Sequence, residues 1–297
     1  MRLFSAIYRA VTRWLTEEPV NDAHPMSDFS KLRREIRSCD VILVEGYSRV
    51  AETIGSVTQS RWIHSALYIG RLHDVEDPRL RLKIREYFDG QPDVQLIIES
   101  QLGMGTVIRP LDTYKNRHLR LCRPRDLTYE DSQLVLKYAI HRLGTDYDVR
   151  QILDLLRFYL PWSFLPKRFR SSLFEWKPGG STHTVCSTLI AEAFGAVSFP
   201  ILPLVKRQEG GEVKLFQRNP KLCTPSDFDY SPYFDIIKYP YLEFEGSTTP
   251  VYRLMPWHGH GVLDDEEALM YMEAKMQQTM PDGAEPPPRR IDSKEHL

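Results

Sequence analysis

Two short stretches far apart in the chain carry residue types that could do nucleophilic chemistry together. The first is Thr182-His183-Thr184-Val185-Cys186-Ser187-Thr188-Leu189-Ile190, which follows the flexible run Pro178, Gly179, Gly180, Ser181. It places Cys186 at the first turn of an expected helix. There, free backbone N–H groups and the positive end of the helix dipole favour thiolate over thiol. Thiolate is the form that attacks a carbonyl carbon. The second stretch is Trp62-Ile63-His64-Ser65-Ala66-Leu67-Tyr68-Ile69-Gly70, a histidine inside an apolar run that reads as a buried strand. A third strand, Val94 to Ser100, brings Glu99. Alternation puts Trp62, His64, Ala66 and Tyr68 on one face of their strand, and Ile97 with Glu99 on one face of the other. If the strands are neighbours, Glu99 can hold the His64 imidazole in its useful tautomer and stabilise its charged form, as the third member of a catalytic triad does.

The elements that must position these residues are readable in outline. Asp40–Gly46, Ile63–Ile69 and Val94–Ser100 read as strands, followed by the shorter Gly105–Arg109 and His118–Arg123. The charged segment from Arg71 to Asp93 reads as a surface excursion. Thr128 and Asp131 have capping-box spacing and should start a helix that runs to about Leu143 and stops at Gly144. A second helical stretch is expected over Ile152–Tyr159, a turn and helix start at Thr224–Asp227, a last strand over Val251–Met255 and a helix over 265–279. Thr182 or Thr184 could cap the nucleophile helix. Three parts follow: an amphipathic helix and linker over 1–28, a catalytic domain over 29–256, and a C-terminal helix with a disordered, proline-rich tail over 257–297.

Composition removes several function classes. With 39 Lys and Arg against 40 Asp and Glu the net charge is −1, so nothing global points to nucleic acid. Cys39, Cys122, Cys186 and Cys223 form no C-x-x-C pair, which suits a reducing compartment better than a disulfide framework or a zinc site. His258 and His260 flank Gly259 with no third ligand at hand, a weak metal signal. No metal or cofactor is expected. No run approaches a membrane span of about 20 apolar residues, and the start of the chain lacks a signal-peptide core. The expected location is cytoplasmic, peripheral to the inner membrane face if the amphipathic segments bind lipid.

Those segments are two. Over residues 2–18, Leu3, Phe4, Ile7, Tyr8, Val11, Trp14 and Leu15 share a face, with Arg2, Arg9 and Arg13 on the other side. This helix fits either a dock on its own domain or an interfacial anchor. Over 159–170, Trp162 and Phe164 sit beside Lys167, Arg168 and Arg170, which fits a headgroup-level surface or a loop over the cleft. His183, beside Cys186 in sequence, is the alternative base.

The ordered set Asp40-Val-Ile-Leu, Trp62-Ile-His64-Ser-Ala-Leu-Tyr-Ile-Gly, Ile98-Glu99-Ser100, Tyr147-Asp148 and Val185-Cys186-Ser187 resembles the YiiX-type branch of the NlpC superfamily. Its members are circularly permuted papain-like cysteine hydrolases. The resemblance is one of motifs and spans roughly residues 38 to 240. It implies an α+β fold, an antiparallel sheet packed against the helix that carries the nucleophile. Cys186 is then the nucleophile, His64 the base, Glu99 the orienter, and Tyr147 a residue that helps bind substrate or oxyanion. The family's Cys-Ser-Glu-Leu run is broken here by Thr188, so a contact specific to that glutamate is not expected. The activity implied is cleavage of an amide, ester or thioester through an acyl-enzyme. A membrane-associated lipid acyl hydrolase or acyltransferase is the alternative, and a non-catalytic binding module on the same fold the third reading. The partner would be a small-molecule, peptide or lipid substrate. Nothing in the sequence sets the oligomeric state.

Overall fold

The computed structural model describes residues 25–46, 60–101, 104–145, 186–207 and 211–241. The chain divides into two units, Met1–Glu243 and Phe244–Leu297, and all described residues belong to the first. Tyr147, the 2–18 helix, the 159–170 segment, His183, the capping threonines and everything expected beyond residue 241 lie outside the described residues.

The centre is a six-stranded antiparallel sheet in an α+β arrangement. Its strands are β1 (Val41–Glu45), β2 (Trp62–Gly70), β3 (Leu96–Gln101), β4 (Gly105–Pro110), β5 (Leu119–Pro124) and a late strand (Phe234–Ile237). Their order across the sheet is β4-β3-β2-β1-β5 and then the late strand. β1 is an unbroken run of Val, Ile, Leu and Val because both its faces are covered. Buried Asp40, just before it, takes two hydrogen bonds from Arg123 of β5, at 2.9 and 2.7 Å, and so ties the start of β1 to its neighbour.

One face packs under α1 (Phe29–Glu35), whose N-cap Asp28 accepts from the Lys31 amide, and under the short turn Leu111–Tyr114. Ile42, Ala66, Tyr68, Ile97, Leu111 and Tyr114 form that cluster. The opposite face, with Leu43, Leu67 and Ile98, is covered by α2 (Pro78–Tyr87), α3 (Tyr129–His141) and α4 (Cys186–Gly195). α4 is buried almost all round. Phe194 at its end meets Phe199 and Phe234 at ring distances of 5.2 and 5.4 Å, and Phe228 of α5 (Pro225–Tyr230) completes the group. The Tyr138 hydroxyl of α3 donates to Glu192 of α4 at 2.9 Å and locks the two helices together.

The five early strands, the Thr128-capped helix and the Thr224–Asp227 capping box stand where the sequence places them. Gly144 ends the α3 segment at φ +80°, and a Cβ there would lie 2.5 Å from the Tyr87 hydroxyl. The 71–93 excursion, however, contains α2. Its stretch Leu80-Arg-Leu-Lys-Ile84 alternates like a strand, but burial of Leu80 and Ile84, one helical turn apart, makes it a helix and leaves Leu82 exposed. A hairpin, β6 (Leu204–Arg207) with β7 (Val213–Phe216), also went unread, as did the late strand, β8. Trp62 corrects the alternation argument. The register between β1 and β2 shifts at Val44/Glu45, so Trp62 joins the Leu43 cluster and not the face of Ala66 and Tyr68.

Truncating Phe194 to Ala should leave a cavity at the end of α4 and cost about 3–5 kcal/mol of stability. Urea denaturation of the variant would measure this directly, and a loss below about 1 kcal/mol would mean the aromatic group does not anchor α4.

Candidate active site

β2 and β3 are neighbours, as the pairing of His64 with Glu99 requires. Their ladder runs through Gly70↔Leu96, Tyr68↔Ile97 and Leu67↔Ile98. Continuing that register would set Glu99 across from Ala66, so Glu99 meets His64 on the diagonal. The contact is close: His64 Nε2 lies 2.7 Å from Glu99 Oε2. An ionised carboxylate only accepts, so Nε2 carries the proton and Nδ1 is left for another partner. Cys186, the first residue of α4, stands close enough to His64 for each to shift the other's pKa.

Glu99 is fully buried, yet it is surrounded by donors. The Tyr114 hydroxyl donates to the same Oε2 that His64 holds. Gln101 Nε2 donates to Oε1 at 2.8 Å, and Arg109 Nη1 stands 3.7 Å from that oxygen while also binding Gln101. Burial pushes the Glu99 pKa up, but the His64 hydrogen bond and charge, with help from Tyr114 and Arg109, hold it below its ordinary value. Tyr114 is driven well above its usual range, by burial first and then by Glu99, so it stays a donor.

The same balance operates at the other two groups. Burial lowers the His64 pKa, and the Cys186 thiolate and the Glu99 carboxylate outweigh it, raising the imidazole to about 10. Burial raises the Cys186 pKa, and the charge and hydrogen bond of His64 outweigh it and bring the thiol below its ordinary value. Each charge thus favours the other, the imidazolium drawing the thiol down and the thiolate drawing the imidazole up. Cys39, Cys122 and Cys223 are all raised, by burial first and by a nearby aspartate after it. All four cysteines are free thiols.

Ser65 is a residue sequence reading passed over. It is fully buried, and its amide and hydroxyl both lie close enough to Cys186 to favour the thiolate. Thr188, two residues after the cysteine, has a buried hydroxyl without a partner among the described residues. Tyr114 was equally invisible, because nothing in the local pattern of Leu111–Tyr114 says that its hydroxyl reaches the sheet. Among the described residues, no group of three or more His, Cys, Asp or Glu side chains could hold a metal ion, and no helix is long and apolar enough to cross a membrane.

No family model matches the chain, and no curated protein matches it. Among solved structures it is similar to the metalloprotein yiiX from Escherichia coli O157:H7. The likeness has a TM-score of 0.42 and 12% identity, and covers 68% of this chain and 97% of that one. The chain is thus a distant structural neighbour of yiiX, and a likeness so distant assigns it no activity.

Three measurements probe this centre. Iodoacetamide should alkylate Cys186 well below pH 9 and long before the other three cysteines. In His64→Ala, burial is no longer opposed, the thiol pKa rises, and alkylation at pH 7 should fall about tenfold or more. Equal labelling of another cysteine, or no effect of His64→Ala, would remove Cys186 as the activated thiol. Glu99→Gln keeps the shape but loses the charge behind the imidazolium, so its effect should be smaller than that of His64→Ala yet not zero. Ser65→Ala removes a hydroxyl that favours the Cys186 thiolate, so Cys186 alkylation should slow. A fall in melting temperature with unchanged alkylation would make Ser65 a packing residue only.

Proposed function

We propose that the protein is a cysteine hydrolase of the permuted papain-like type, cleaving an amide, ester or thioester bond through an acyl-enzyme. The observation that carries this reading is the continuous relay from Cys186 through His64 to the buried Glu99. In the first half-reaction the Cys186 sulfur attacks the carbonyl carbon. Its electron pair forms the new C–S bond, and the carbonyl oxygen takes on negative charge. The free N–H groups of the first turn of α4 are the nearest donors for that oxyanion. His64 gives its Nδ1 proton to the departing amine, alcohol or thiol as the tetrahedral intermediate collapses. In the second half, water attacks the thioester carbon, His64 takes the water's proton, and the sulfur leaves as thiolate. Glu99 holds the Nε2–H throughout and neither gains nor loses a proton.

The direction of the pKa shifts sets the pH profile. The reactive ion pair exists above the lowered Cys186 value and below the raised His64 value. Activity should therefore rise through a limb below pH 9 and fall again near pH 10, where the imidazolium proton is lost.

A second reading, a lipid acyl hydrolase or acyltransferase, is favoured by one feature. The exposed β6–β7 hairpin presents Val205, Val213, Leu215 and Phe216 beside Lys206 and Lys214. It borders an apolar cavity of about 340 Å³ that Ala191 of α4, Phe199 and Ile201 also line. An acyl chain would gain about 0.8 kcal/mol for each methylene buried there.

Intact-mass spectrometry after incubation with acetyl ester, acetyl thioester and anilide probes tests both. An acyl adduct on Cys186, absent from Cys186→Ala and slowed in His64→Ala, is the expected result. Preference for a long-chain acyl thioester over acetyl by about tenfold or more would select the lipid reading. No adduct and no turnover with any probe would leave only the non-catalytic binding module.

A further inference from the structure

On the face of the sheet away from the nucleophile helix, α1 and the turn after β2 enclose an open cavity of about 670 Å³. Its lining consists almost wholly of hydrogen-bond donors. Arg33 and Arg34 lie in the last turn of α1, Arg37 follows just past its extended C-cap Ile36, and Arg71 enters from the residue after β2. At one wall lies Tyr68, only 3% exposed. Its oxygen accepts a 2.8 Å bond from Gln95 Nε2. The orientation of that amide is set by Arg33, whose Nε donates to Gln95 Oε1 at 3.1 Å and whose carbonyl accepts from Nε2 at 3.0 Å. The Tyr68 O–H therefore has no acceptor among the described residues.

The negative charges nearby are already engaged. Asp40 holds Arg123 through both oxygens. Asp74, the acidic residue in the lining, accepts from the Arg71 amide at 2.7 Å and lies 3.5 Å from His73. Asp112 pairs with Arg33 at 3.6 Å. Arg34 makes no ion pair or hydrogen bond among the described residues, and the hydrogen bonds of Arg37 there are backbone ones, its amide donating to Asp40 Oδ2 at 2.8 Å and its carbonyl accepting from the Asp40 amide at 2.9 Å. Basic residues in the last turn of a helix complement its dipole, which accounts for Arg33 and Arg34. It accounts neither for Arg71, which arrives from a different element and donates its Nε to the Asp93 carbonyl at 3.2 Å, nor for a buried phenol left without an acceptor among the described residues.

We propose that this cavity is an anion site that takes the phosphate or polyphosphate group of a small ligand, soluble or lipid-borne. Guanidinium forks bind phosphate oxygens two at a time, and the Tyr68 hydroxyl supplies a further donor from the wall. The space suits a phosphorylated headgroup better than a bare ion. The site is separate from the thiol: Tyr68 lies four residues along β2 from His64, roughly 13 Å away. It does not rest on the hydrolase reading.

Isothermal titration of the full chain with pyrophosphate and with inositol hexakisphosphate is the direct test. One saturable site is expected, weakened about tenfold or more in Arg34→Ala/Arg37→Ala and several-fold in Tyr68→Phe. The melting temperature of each variant without anion controls for folding, and Arg34→Gln is the fallback should the double variant melt early. Co-sedimentation with phosphatidylcholine vesicles, with and without phosphatidic acid, separates the sources. Binding that needs phosphatidic acid, is displaced by pyrophosphate and is lost in the double variant assigns a lipid-borne phosphate. Binding of the soluble anions alone, lost in the same variant, assigns a soluble ligand. No binding of any of these probes, or binding unchanged in the double variant, overturns the proposal.

Discussion

Keeping one carboxylate ionised inside the protein is the constraint on which the candidate centre depends. Glu99 is wholly buried, and an unpaired charge there would cost several kcal/mol. The donors that prevent this come from β2 (His64), β3 itself (Gln101), β4 (Arg109) and the turn after β4 (Tyr114). Satisfying Glu99 thereby also specifies strand register. A slip of one residue would turn it to the opposite, apolar face and strand the three donors that come from other elements.

The four cysteines show how little the residue type decides. Burial pushes every one of their thiols up. Cys39, Cys122 and Cys223 add an aspartate to that effect, whereas Cys186 alone has the positive charge of His64 beside it. That charge is held first by the Cys186 sulfur itself and then by Glu99 behind it. Activation of the sulfur is therefore a property of the sheet behind the helix more than of the helix start.

The centre was partly legible before any coordinates. His64 and Glu99 were readable because their strands are rich in Ile, Leu and Val, and such strands declare their span and their alternation. Trp62 was misplaced for the same reason: a shift of register at Val44/Glu45 breaks the alternation, and no residue in the sequence announces it. α2 was hidden because Leu80-Arg-Leu-Lys-Ile84 obeys a strand's period locally, and only packing against the Val135–Ile140 side of α3 reveals the helix. Tyr114 and Arg109 reach Glu99 through tertiary packing alone. The β6–β7 hairpin escaped notice because all its residues are exposed, so burial imposes no pattern on its sequence.

The position of β8 has a consequence for how the protein comes into being. β8 pairs with β5, so the sheet closes only when segments about a hundred residues apart in the chain meet. Cys186 lies within the loop that this pairing closes. Contacts so distant in sequence form late and slowly. During synthesis, strands β1 to β5 can pair while the cysteine is still unplaced and chemically ordinary. The Cys186 thiol meets the charge of His64 only once α4 has packed against β2, so in a chain halted before that step nothing offsets the ordinary pKa of the thiol.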